Sequence, residues 1–259
     1  MIARAGRSSQ RPAACVRRCD PSVNPAAATM MASRALTSAV LRELGETDCE
    51  TLGNGWLAQP VNALSSLAYS LIGIAIVLSV LRSDRPRGGP IVYAGCLVAV
   101  GLGSVAFHGP QLSGSQLMHD LPILLTVLFM INHDLGILRP RAGQELAKFA
   151  GLALAAVLLA VTVPAVVAPL TIVVATAVVV AEIVIYRRRL RPMAAPHRRR
   201  GWVAIAAFAV VGGASWVLGR SNSPLCEPDA WYQLHGLWHM LSAVVFGLWY
   251  WWAIADVRD

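Results

Sequence analysis

His235 and His239 stand four residues apart in the fragment LHGLWHML. On a helix that spacing sends both imidazoles from one face, one turn apart, so a single helix can offer two ligands to a divalent metal. Two other apolar stretches carry matching polar groups at their ends: Ser104 and His108 in GSVAFHG, and Asp120 in LMHDLP. Ser104 and His108 are again four apart and share a face. Three neutral imidazoles leave one tetrahedral position for water, the open arrangement of catalytic rather than structural zinc. Zinc can bring the pKa of such a water to about 7 and polarise a carbonyl oxygen. Asp120 then serves as proton acceptor for the water or as the group that orients a ligand. The Ser104 hydroxyl is a donor for a developing oxyanion. These residue types together spell metal-assisted hydrolysis.

Plainer readings compete at each position. A lone intramembrane histidine often only bridges helices, and a serine between Gly101 and Gly103 serves close helix packing. His119 adjoins Asp120 but points about 100° away around a helix, so it is read as an interfacial residue and not a ligand. His133 and His197 fall at the other ends of their spans and are read as local charge. Two on-helix ligands one turn apart face the same side, which excludes clamping a haem between them.

The elements that must position these groups are membrane helices. With 56% hydrophobic and 14% charged residues, the chain is far more apolar than a soluble domain, where charged residues reach about a quarter. At about 20 apolar residues per crossing, the sequence predicts an all-α, seven-transmembrane bundle with helices near 61–82, 90–109, 116–137, 146–163, 166–186, 201–219 and 234–255. The fourth and fifth divide at Pro164 and Pro169. Counting spans then tests convergence. His108 ends an even helix, while Asp120, His235 and His239 begin odd ones, so all four share one depth. Polar groups at membrane depth are costly, and shared depth favours chemistry over coincidence.

Arginine sets the expected orientation. Arg82, Arg85 and Arg87 follow the first span, Arg139, Arg141 and Lys148 the third, and Arg187, Arg188, Arg189, Arg191, Arg198, Arg199 and Arg200 the fifth. These loops are expected in the cytoplasm, with Asp259 inside and the polar cluster near the outer leaflet. The net charge of +8 is read as topology and anionic-lipid affinity, and no nucleic-acid partner is inferred. WYWW, Trp249 to Trp252, reads as an inner interfacial belt. Residues 1–45 read as a basic, disordered tail with no apolar signal region, with a true start at Met30 or Met31, and 46–259 as the membrane domain; 31–45 reads equally as an amphipathic surface helix or a solvated lead-in. Five cysteines are too few for a disulfide scaffold. Cys96 lies within a span, Cys15 and Cys19 in the tail, and Cys49 and Cys226 just outside the membrane on one side.

The order Ser-x3-His, Asp-Leu-Pro, then His-x3-His at the start of the last helix resembles the alkaline ceramidases, within the superfamily that includes adiponectin-type receptors. DCE at 48–50, GSVAFHG, HDLP and QLHGLWHML carry the resemblance, which runs from about Cys49 to the C-terminus. It implies amide hydrolysis of a ceramide-like membrane lipid, zinc on His108, His235 and His239, Asp120 and Ser104 beside the metal water, and a Cys49–Cys226 disulfide. The family's N-terminal calcium site is altered. Asp48 replaces its Trp, Leu52 its Asn, and Gln59 falls near its later Glu, leaving Asp48, Glu50 and Asn54 as oxygen donors for a weak calcium site. Two rivals stay open: cleavage of another acyl-lipid ester linkage, and a receptor-like protein with a structural zinc.

Overall fold

The computed structural model describes residues 44–84, 87–139, 145–191 and 196–255, and for residues 196–198 the backbone alone. The expectations for the tail, Arg85, Arg141 and the side chains of His197 and Arg198 lie outside the described residues. The helices are α1 Pro60–Leu81, α2 Gly88–His108, α3 Ser115–Leu138, α4 Glu145–Thr162, α5 Val167–Arg187, α6 Pro196–Leu218 and α7 Leu234–Tyr250, which runs on as a π-helical turn, Trp251–Ala255. Among the described residues seven helices are long and apolar enough to cross a membrane, so the chain is an integral, multi-pass, all-α membrane protein.

Local chemistry sets the boundaries. Pro60 opens α1 at a position where its missing N–H costs nothing. The Glu50 carboxylate accepts from the backbone N–H groups of Val61 and Asn62 at 2.7 and 2.8 Å, capping the same end. A 3-10 turn, Pro164–Val166, separates α4 from α5, and Pro169 sits harmlessly in the first turn of α5.

The α1 helix lies between α2 and α7, α2 continues against α3, α3 against α4 and α5, and α6 covers α7. The main core joins Ile76, Tyr93, Leu97, Phe129, Trp249 and Ile254, while Leu71, Leu154, Val173 and Val210 point outward as a lipid-facing surface suits. Two sequence expectations change here. Trp249 and Tyr250 are core residues, 1% and 4% exposed, not an interfacial belt. Arg191, read with its loop as topology and anionic-lipid affinity, does not face lipid headgroups. It is buried, its Nη2 2.8 Å from the Asp134 carboxylate and its Nη1 on Glu182. Trp249 Nε1 donates to the same Glu182 at 2.7 Å, and Arg191 stacks over Trp202 at 5.2 Å. Removing these groups from water is tolerable because the one guanidinium pairs with both carboxylates and Trp249 donates to Glu182 as well.

Candidate metal centre

The C-terminus of α2 and the N-termini of α1, α3 and α7 meet at one end of the bundle, opposite Arg191. His108 is the last residue of α2, and His235 and His239 lie in the first two turns of α7. All three are buried, and one donor atom from each falls within 4.8 Å of the others. The ring centroids are 5.2 Å apart for His108 with His235, 5.2 Å for His108 with His239, and 4.6 Å within the α7 pair.

Each Nδ1 faces a polar partner on the chain that leads into or begins α1. His108 Nδ1 is 2.7 Å from Gln59 Oε1. His239 Nδ1 is 3.1 Å from the Asn62 carbonyl and from the hydroxyls of Ser65 and Ser66. His235 Nδ1 is 3.4 Å from Asp48 Oδ1. His108 and His239, held by Nδ1, have Nε2 left to offer, while His235 Nδ1 faces Asp48 without a hydrogen bond. The Nε2 atoms of His108 and His235 are buried without a hydrogen-bond partner, an arrangement that costs free energy unless something else binds there. Three buried imidazoles, two of them with outer hydrogen-bond partners, are the donor set of a zinc centre, so the residues fit that ion.

Ser104, one turn before His108, is 1% exposed, and its Oγ also lacks a partner. Asp120 is placed differently. Its carboxylate is engaged by Gln116 Nε2 and by His119 Nδ1, the latter at 2.7 Å. It is His119, read from the sequence as interfacial, whose ring stands 5.8 Å from that of His108 and 4.6 Å from Phe107. Gly103 explains how α3 comes so close. A Cβ there would lie 1.8 Å from the Met118 carbonyl oxygen, and this is the carbonyl whose helical donor Pro122 lacks.

The segment before α1 completes the wall. Cys49 and Cys226 form a disulfide, Cα–Cα 5.4 Å. Cys49 N–H donates to Gly219 O at 2.9 Å and Ser221 N–H to Thr47 O at 3.0 Å, bracketing an antiparallel bridge between Asp48 and Arg220. Burial pushes the Asp48 carboxyl up to about 6, against the opposing pull of Arg220 and His119. Burial also raises Glu50, against the stabilising N–H groups of Asn62 and Val61. Of the three calcium candidates, Asp48 faces Arg220 and two histidines, Glu50 caps α1, and Asn54 is exposed.

Fold and site define a seven-helix membrane protein with a buried three-histidine cluster at one end of its bundle. The ceramidase family model matches residues 54–257, and the chain belongs to the ceramidase family. A search among curated proteins finds no match. Sequence reasoning passed over Asn62, Ser65 and Ser66. Ser65 and Ser66 follow Asn62 by three and four residues on a mostly apolar span, so the signal that singled out the histidines was present there too.

Proposed function

We propose that the protein is a zinc-dependent intramembrane amidohydrolase that cleaves the amide of ceramide or a ceramide-like N-acyl lipid into a fatty acid and a free amine. The observation that carries this is the buried convergence of His108, His235 and His239, with the Nε2 atoms of His108 and His235 unpartnered. Family membership supports the substrate class. His108, His235 and His239 would hold the metal, which when bound would acidify a water and polarise a carbonyl.

The chain's own groups do the rest. Ser104 Oγ, with no other partner, donates to the amide carbonyl oxygen as negative charge gathers there. His119 takes the proton of the attacking water and delivers it to the amide nitrogen as the C–N bond breaks, and Asp120 fixes the ring that does so. The water oxygen ends in the fatty acid and its proton on the amine, so the step balances. Arg82, Arg87, Arg139, Arg187, Arg188 and Arg189 lie at the end opposite the cluster, which supports a site near the outer leaflet and a cytoplasmic C-terminus. Calcium has the weaker claim, because Glu50 and Asp48 are committed to other partners.

The test presents purified full-length protein with an N-acyl sphingoid amide and with ester lipids of the same chain length, before and after chelation. Release of fatty acid from the amide, stopped by chelation and restored by zinc, is the expected result. Faster cleavage of the ester would reassign the substrate, and turnover without bound metal would overturn the reading.

A further inference from the structure

We propose that Asp48 is a positioning residue of the metal centre, its carboxylate holding His235 by Nδ1 so that Nε2 is presented to the ion. This rests on the metal reading above. Two of the three rings already have a partner within hydrogen-bond reach: Gln59 holds His108, and the Asn62 carbonyl with two serines holds His239. Of the three, His235 alone has neither ring nitrogen hydrogen-bonded. The polar atom facing its Nδ1 is Asp48 Oδ1 at 3.4 Å, and a shift of about 0.6 Å with a turn of the ring makes a charge-assisted bond of about 2.8 Å. Asp48 falls outside the group whose donor atoms lie within 4.8 Å of one another, so it serves from behind the ligands.

The placement is built. The bridge to Arg220 and the neighbouring disulfide anchor Asp48 to the connection that leads into α7. Gly219, next to Arg220 in that connection, is pressed against the His235 backbone, where a Cβ would meet the nitrogen at 2.5 Å. One short stretch thus seats both the carboxylate and the histidine it faces. An ion pair with Arg220 alone does not account for the position. The Arg220 side chain is 39% exposed, whereas the carboxylate is 4% exposed and also 3.9 Å from His108. A salt bridge needs no such burial, and a buried carboxylate behind a ligand imidazole raises its basicity and fixes its tautomer. The family match begins at residue 54, so this group comes from the chain before the matched segment.

The experiment measures zinc affinity of the purified full-length protein by competition with a chromophoric chelator, for wild type, Asp48→Ala and Asp48→Asn, with melting temperatures taken without and with zinc. Asp48→Ala is expected to lose about 10–100-fold in affinity, and Asp48→Asn, which keeps an acceptor oxygen, to fall between. The zinc-free melting temperature of Asp48→Asn should match wild type while its zinc-induced rise shrinks. Wild-type affinity in both variants would overturn the assignment and leave the metal reading standing. So would a loss confined to zinc-free stability. If the wild type itself binds no zinc, the metal reading fails and takes this assignment with it.

Discussion

A carboxylate touching an imidazole fixes which ring nitrogen carries the proton and raises the basicity of the other. The Asp120–His119 contact at 2.7 Å has that form, and in the proposed mechanism Asp120 acts through its neighbour. Asn at this position offers an N–H where the carboxylate accepted, which favours the wrong tautomer. Asp120→Asn is expected to lower kcat by about 10²–10⁴-fold with bound zinc unchanged. Fatty-acid release measured beside metal content checks this, and a wild-type kcat would remove Asp120 from the mechanism. The three clustered histidines were legible in the sequence because polar groups in apolar spans stand out and their shared end follows from counting helices. The place of the His119 ring beside His108 was not. Adjacent residues on a helix face about 100° apart, and which one faces the cluster depends on how α3 is rotated against α2. Only packing decides that.

At the scale of elements, rotation and approach are set by Gly103 on α2 and the Met118 carbonyl on α3. Backbone carbonyl is not the far end of a flexible side chain, so a methyl at residue 103 forces the helices apart. Gly103→Ala is expected to cost about 1–3 kcal/mol and to lower turnover by moving His119 from His108. A methyl at Gly95, on the same helix, would meet nothing within 4 Å, so Gly95→Ala should melt at or slightly above wild type. Thermal melts of the pair distinguish packing from helix propensity, and equal behaviour would refute the contact. The helices themselves followed from apolar length and proline placement. The aromatic end of α7 was misread because interfacial and core tryptophans share one composition. A face argument separates them: Trp249 continues the stripe of His235, His239, Ser242 and Phe246, at steps of three and four, into the core.

Across the whole molecule two buried polar centres occupy opposite ends of the bundle, the histidine cluster at one and Arg191 with Asp134 and Glu182 at the other. The second ties α3, α5 and, through Trp249, α7. Loop arginines look alike in a sequence, and only the folded positions of Asp134 and Glu182 mark Arg191 as different. Arg191→Ala strands two carboxylates and is expected to cost about 3–5 kcal/mol, seen as a lower melting temperature, with zinc affinity unchanged at the far end. A matching loss of zinc would mean that the two centres are coupled. The central claim is that a zinc ion on His108, His235 and His239 makes this chain a lipid amidohydrolase. Elemental analysis of purified protein, with fatty-acid release from an N-acyl sphingoid amide followed on the same sample, tests it most directly. The expected result is one zinc per chain, activity lost on its removal and regained on its return, and neither zinc nor activity in His239→Ala. Active protein carrying no transition metal would contradict it.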